Sequence, residues 1–198
     1  MLWKKMLRDL NEHKGAYIAC MVIIIIGLMV FTAFSMMLEN LQLSQQTFYK
    51  NQNFADGFAS VEALPFTEVK KLEELEGIAR IQGRFVTDVR VLFPGREDNV
   101  YLRLIFLNAD EQNRINDMLL LEGKPLQEGD MNILIDNKFY EANNLGLNDK
   151  LEIIAAGKRR ELYVSGVGTS PEFIYALRTA ADFYPSPESF GVAFIPLQ

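Results

Sequence analysis

The sequence predicts an α+β fold: one N-terminal transmembrane helix with a stalk, followed by a two-lobed extracytoplasmic domain. Three observations predict it. Residues 15–38 contain no charged side chain over a run long enough to cross a bilayer. The helical periodicity of the apolar residues continues beyond that run to residue 52. Residues 53–198 then contain short apolar strands separated by glycine- and proline-marked turns.

The first fourteen residues have the pattern of a short amphipathic helix. Their apolar side chains share one helical face, and the charged ones fall mostly elsewhere. Such a helix lies on the inner leaflet with Trp3 at headgroup level, and an unstructured basic tail is the alternative. Residues 1–14 are therefore predicted to be a cytoplasmic interfacial helix. The side chains expected at the membrane interface are Trp3, Lys4, Lys5, Arg8 and Lys14.

Residues 15–38 are predicted to be the transmembrane helix, and the flanking charges orient it. Four Lys and Arg residues precede the run against two acidic residues, and the first charge after it is Glu39. Because Lys and Arg are retained on the cytoplasmic side, we expect a cytoplasmic N-terminus and extracytoplasmic residues 39–198 in a cell membrane.

A cleaved signal peptide is the alternative interpretation of the same segment. Its apolar core usually runs about 7–15 residues and ends at small residues. This run is longer and has Phe34 and Met36 where small residues would be needed. The sequence therefore favours a permanent membrane helix.

The helix is expected to continue as a stalk over residues 39–52. No glycine or proline occurs between the span and Gly57, and the apolar stripe of the span keeps its spacing. A stalk of this kind would lift the domain off the bilayer. The stalk residues singled out are Leu41, Gln45, Phe48 and Tyr49.

Residues 53–109 and 168–198 are predicted to form a mixed α/β lobe. Its order is strand, helix, strand, strand, with a final strand returning to the same sheet. The predicted elements are a strand near 56–63, a helix over 69–75, extended chain over 78–93, a strand over 100–107, weak helix over 176–183 and a strand over 191–195.

Residues 110–167 are predicted to be a small β-rich lobe inserted into the first. Glycines separate short elements throughout this segment. The predicted elements are a strand over 132–136, a short helix over 137–143 and a hairpin that joins 150–156 to 161–166.

The residue inventory excludes several classes of chemistry outside the membrane. The chain has one histidine, His13 in the head, and one cysteine, Cys20 in the span. The external region therefore lacks the groups for Ser–His–Asp or Cys–His catalysis and for most zinc sites. Its carboxylates lie in turns and on polar faces, so we expect them to be solvated surface groups and not the paired carboxylates of a hydrolase. We predict no catalytic, metal-binding or cofactor-binding residue.

The charge balance of the external region excludes one further partner. Residues 39–198 contain sixteen Lys and Arg against twenty-four Asp and Glu. An acidic segment with no basic stripe argues against nucleic-acid binding.

Several phrases of the sequence, in this order and spacing, resemble the N-terminal part of an FtsX-like, MacB-type permease of an ABC transporter. The resemblance covers the whole chain. The phrases are NFAD at 53–56, LEGI at 75–78, GRF at 83–85, EGKP at 122–125, NLGLNDKL at 144–151, LYVSGV at 162–167 and SPEFIY at 170–175.

The resemblance implies a function and a set of partners. A cytoplasmic ABC ATPase would drive the membrane helices, and the external domain would move in response. A second permease copy, or a second half, would complete a dimer or pseudo-dimer in the lipid bilayer. Because the sequence ends at residue 198 before any further membrane helix, we expect a fragment of a longer permease.

Two other classes of function stay open. The chain could be a single-pass, membrane-anchored binding or sensor module without transport activity. An anchored hydrolase would need a close, desolvated pair of carboxylates. No substrate can be named from the sequence.

Overall fold

The computed structural model describes residues 2–108, 114–127 and 131–197. The chain forms two compact units, Met1–Phe48 and Tyr49–Gln198. The first is helical, and the second is a sheet-rich mixed α/β domain. The coarse fold class expected from the sequence, a long apolar helix followed by an α/β domain, is confirmed.

Two helices make up the N-terminal part. Helix α1 spans Leu2–Glu12, and helix α2 spans Lys14–Asn51. Within the described residues, α2 is the one helix whose length and composition would let it cross a membrane. Its 38 residues correspond to a length of roughly 57 Å at 1.5 Å per residue. A bilayer core is only about 30 Å thick, so α2 is much longer than a span requires.

In the part of the chain that the structure describes, seven strands form one sheet in the order β3-β6-β4-β7-β2-β1-β5. An additional pairing of β5 with β6 closes six of them into a ring, and β3 pairs with the end of β6. The strands are β1 Phe85–Leu92, β2 Val100–Leu107, β3 Leu119–Gly123, β4 Asn132–Asp136, β5 Lys150–Ala155, β6 Lys158–Thr169 and β7 Phe190–Pro196. The short helices of the domain are α3 Phe66–Lys71 and α4 Asn137–Ala142, with single 3₁₀ turns at Leu72–Glu74 and Pro171–Phe173.

The central strands bury both of their faces. On β2, Leu102 and Leu104 belong to one apolar cluster, while Ile105 and Leu107 belong to a second on the opposite face. Strands β4 and β7 alternate between the same two clusters. Near-continuous apolar runs such as VYLRLIFL are what strands buried on both faces require.

The final strand pairs with strands from both of the predicted lobes. Residues 191–195 pair with a strand of the first predicted lobe, as expected, since β7 runs parallel to β2 with Gly191 beside Leu102. Its other neighbour is β4, which comes from the segment 110–167 that was predicted to be a separate lobe. The predicted lobes thus contribute strands to a single sheet, and their boundary is not a boundary between sheets.

The predictions for two elements were wrong, and one strand was not predicted. Residues 56–63 form no strand and are exposed; β1 pairs instead with β2 along its length and with β5 at Arg90–Leu92. Residues 176–183 form no helix, since Asp182 binds the Thr179 amide at 2.8 Å and stabilises a turn instead. Strand β3 has no predicted counterpart.

Asp136 connects the end of β4 to the start of α4. Its carboxylate accepts hydrogen bonds from the backbone N–H groups of Lys138 and Phe139, at 3.1 and 3.3 Å. These are the free amides of a helix N-terminus. The residue is buried. Burial raises the pKa of the Asp136 carboxyl, and the two backbone hydrogen bonds oppose that rise.

We expect replacements of Asp136 to separate its capping role from its charge. Asp136→Ala should cost about 1 kcal/mol or more because two amides lose their acceptor. Asp136→Asn keeps the cap and removes the charge. Since the folded pKa lies above the unfolded value, the wild-type protein loses stability as pH rises through the folded pKa. The Asn variant should therefore gain stability relative to wild type between about pH 4 and pH 7. Urea unfolding of both proteins at about pH 4 and pH 7 measures this. The prediction is contradicted if the stability difference between Asp136→Asn and wild type is the same at both pH values.

Candidate functional site

The chain leaves α2 through a tight, capped turn. Asn53 adopts a left-handed conformation with φ 49°, which asparagine tolerates better than most residues. The Phe54 amide donates to the Tyr49 carbonyl at 2.9 Å, and the Asn53 amide donates to the Lys50 carbonyl at 3.3 Å. This is the Schellman arrangement, and its usual apolar contact is here a stack of the Tyr49 and Phe54 rings at 4.5 Å. The helix end is thus joined to the next segment without a flexible linker.

A second segment, residues 114–117, runs alongside this turn. The Asn116 amide donates to the Asn53 carbonyl at 3.0 Å, and the Asp117 amide donates to the Gln52 carbonyl at 2.9 Å. The Asn53 side chain returns a bond to the Arg114 carbonyl at 3.1 Å. These three bonds join residues 52 and 53 to residues 114–117. We call the contact region of residues 52–55, 82–84, 114–117 and 170–172 the exit junction.

Asn116 is the centre of the exit junction. It is 3% exposed and has a left-handed backbone with φ 54°. Its backbone N–H donates a hydrogen bond to the Asn53 carbonyl, as described above. Its side-chain oxygen accepts a hydrogen bond from the backbone N–H of Ala55 at 2.8 Å. Its side-chain nitrogen donates to Glu172 at 3.1 Å, and its carbonyl accepts from the Ser170 hydroxyl at 3.3 Å. Every polar group of this buried residue therefore has a partner, as burial requires.

An ion pair closes the other side of the exit junction. The Arg84 guanidinium donates from two nitrogens to the two carboxylate oxygens of Glu172. The two side chains are 22% and 16% exposed, so water screens this pair less than a surface pair. The two-point geometry fixes orientation as well as distance. Arg84 also lies over the Phe58 ring at 5.7 Å.

Backbone and side-chain bonds complete the exit junction from the β1 side. The Gln82 side-chain oxygen accepts from the Ile115 amide at 2.8 Å. Asp117 accepts from Arg114 at 3.1 Å and from the Met118 amide at 3.0 Å. Segments separated by more than a hundred residues in sequence thus meet at one polar cluster.

The predicted interface residues lie on the first two helices. Trp3, Lys4, Lys5 and Arg8 lie on α1, and Lys14 begins α2. Trp3 is 72% exposed. Their contact with a membrane stays a prediction.

The predicted stalk residues all lie on α2. Leu41 and Gln45 are exposed, whereas Phe48 and Tyr49 are half-buried. Tyr49 takes part in the exit turn described above. The role of the four residues as a stalk stays a prediction.

The residues at the centre of the exit junction were not predicted as a site. Three phrases that carried the family resemblance, at 53–56, 83–85 and 170–175, do meet there. Asn116 was missed because it follows no periodic pattern. The available signal was Asn53 just after α2, because asparagine is common at a left-handed helix cap.

The described residues contain no group of three His, Cys, Asp or Glu side chains that could hold a metal ion. Their buried side-chain nitrogen and oxygen atoms all have hydrogen-bond partners, so none is left pointing at a missing ligand. The exit junction therefore has the features of a structural connection between segments.

Comparisons with known proteins find similarity to solved structures but not to family models or curated sequences. No protein-family model matches the sequence, and neither does any curated protein. The structure is similar to the extracellular domain of the noncanonic ABC-type transporter YknZ from Gram-positive bacteria, with a TM-score of 0.40 and 14% sequence identity. The match covers 67% of this chain and 62% of that chain, so it spans less than two thirds of the known domain.

Proposed function

We propose that this chain is the N-terminal part of a permease subunit of an ABC transporter of the FtsX/MacB type. In this proposal α2 crosses the cell membrane with the N-terminus in the cytoplasm, and residues 39–198 are extracytoplasmic. The external domain transmits ATP-driven movement to a substrate or partner outside the cell. The proposal rests on the charge distribution, on the family resemblance of the sequence and on the exit junction.

The observation that carries the proposal is how α2 ends. The helix exceeds a bilayer core by roughly 27 Å at 1.5 Å per residue. Its last turn is capped, and the chain that follows is hydrogen-bonded to residues 114–117. A flexible tether would suffice for a module that only needs to stay near the membrane. A helix joined to the domain by a bonded turn can instead carry a displacement.

The proposed partners follow from the same interpretation. A cytoplasmic ABC ATPase supplies the movement, and a second permease copy or half completes the transporter. The side chains of α1, with Lys14 at the start of α2, would hold the cytoplasmic end at the headgroup region of the bilayer. The domain itself needs no catalytic group in this role, and we propose that it is not an enzyme.

The alternative is a single-pass anchored binding or sensor module. One observation favours it: the adjacent aromatic side chains of Phe183 and Tyr184 are 86% and 82% exposed. Exposed aromatic pairs are common at binding surfaces. The reading frame downstream of residue 198 separates the two functions. Three further apolar spans beside a gene for an ABC ATPase would support the permease, and their absence would support the anchored module.

The orientation is tested by protease accessibility in intact cells. Protease added from outside should remove residues 39–198 and leave the N-terminal head intact, because the Lys and Arg residues before the span keep the head inside. An epitope tag on each end reports the two outcomes by immunoblotting, and cells opened with detergent provide the control. Protection of the C-terminal tag in intact cells would contradict the proposed orientation.

A further inference from the structure

A long strap of irregular chain joins β6 to β7 on the surface of the domain. We define the strap as residues 174–189, and Phe183 and Tyr184 lie near its middle. Side chains from several elements bind its backbone carbonyls. These bonds are Lys138 to Ile174 at 2.6 Å, Arg103 to Arg178 at 2.9 Å, Asn143 to Pro187 at 3.1 Å and Arg96 to Glu188 at 3.2 Å.

The strap begins directly after the exit junction. Glu172 lies two residues before the strap and binds both Asn116 and Arg84. The hydroxyl of Ser170, the residue after β6, donates to the Asn116 carbonyl. The chain that starts the strap is thus held by the same asparagine that holds the exit turn of α2.

Asn116 is consequently bonded in two directions. Toward α2, it contacts the Asn53 carbonyl and the Ala55 amide. Toward the strap, it contacts Ser170 and Glu172. Because Asn116 is buried, breaking any of these hydrogen bonds leaves a polar group without water to replace the partner, which is unfavourable. A small displacement on one side is therefore favoured to move the other side as well.

We propose that Asn116 is a positioning residue that couples the end of α2 to the strap. This inference rests on the proposed function, because it names the route by which movement of the helix reaches the surface of the domain. Arg84 holds the Glu172 carboxylate in place, so the side-chain NH₂ of Asn116 has a fixed acceptor. Coupling of this kind is reciprocal: a change at the exit turn alters the strap, and a change in the strap alters the exit turn.

Spin labels can measure this coupling in the full chain in detergent or nanodiscs. The chain's single cysteine, Cys20, is changed to serine. Nitroxides are then placed at exposed positions on the strap and on the β5–β6 hairpin by Ala181→Cys and Lys158→Cys. The width of the distance distribution between the two labels reports the freedom of the strap. Melting temperatures confirm that each variant is folded.

Two substitutions address the two sides of Asn116. Asn53→Gly preserves the left-handed turn but removes the side-chain bond to Arg114, which loosens the exit turn. Asn116→Asp retains the acceptor for Ala55 but loses the donor to Glu172. We expect Asn53→Gly to widen the label distribution about twofold although residue 53 does not contact the strap. In the Asn116→Asp background the same change should add nothing.

The matched control is Asn144→Gly. Asn144 is an exposed asparagine with φ 51°, so the substitution makes a similar backbone change outside the exit junction. It should leave the distribution as in wild type. If Asn53→Gly has no effect on the strap, or if its effect persists in Asn116→Asp, the coupling through Asn116 is refuted. Neither result depends on an ATPase, so the proposed transport function is tested separately.

Discussion

Replacing Gly191 by alanine is expected to destabilise the domain by about 3 kcal/mol, the upper end of the range for overpacked cores. Gly191 lies on β7, and a Cβ atom there would stand 2.3 Å from two atoms of the Phe139 ring. Phe139 is completely buried and belongs to the main apolar cluster. The ring or the strand would have to move. Urea or thermal unfolding should show the change, with the melting temperature lower by about 6–12 °C.

Two further variants decide whether this contact is the cause. Gly57→Ala is the control, because nothing lies within 4 Å of the added atom and the φ of Gly57 lies outside the left-handed region. It should leave stability within about 0.5 kcal/mol of wild type. Phe139→Leu combined with Gly191→Ala should cost less than the sum of the two single changes, since the smaller side chain frees the space. Additive effects would show that Gly191 is required for another reason.

The local sequence pattern correctly predicted strands that are buried on both faces. Strands β2 and β4 have the predicted bounds, and α4 begins at the predicted residue. In these segments apolar content, turn residues and a capping aspartate all favour the same structure. Their burial then adds to what the local sequence already specifies.

The closure of the sheet could not be predicted in the same way. It depends on β6, whose first half pairs with β5 and whose second half pairs with β4 and β3. The predicted hairpin ended at residue 166, but β6 continues to Thr169. The backbone hydrogen bonds of these extra residues are made to β3 and β4, which are distant from them in sequence. The division into lobes followed from sequence order, whereas the sheet follows spatial order.

The exit junction illustrates the same limit at the level of side chains. Its turn is encoded locally, because Asn53 follows the last helical turn and Phe54 can stack on Tyr49. Its centre is not, because Asn116 gains its role only when two remote segments reach it. An asparagine in an irregular segment has no periodic signal. Its burial and its four partners appear only in the folded structure.

Replacing Gln45 by proline is expected to abolish transmission from the membrane to the domain. Gln45 is an exposed residue of α2, six positions before its end, so its side chain contributes little. Proline removes a backbone hydrogen bond and kinks a helix at a cost of about 3 kcal/mol or more. In a full-length permease, ATP hydrolysis should persist, whereas transport or resistance should fall. The folded domain should retain its melting temperature, since the kink lies outside residues 49–198.

The control for this experiment is Gln45→Ala, which retains the helix and should behave as wild type. Gln45→Gly should have an intermediate effect, because glycine costs only about 1 kcal/mol relative to alanine and does not force a kink. Helix rigidity therefore decreases from Gln45→Ala to Gln45→Gly to Gln45→Pro, and all three variants lack the polar glutamine side chain. If Gln45→Pro retained full transport, residues 39–52 would act as a tether. The anchored binding or sensor module would then explain the exit junction as attachment alone.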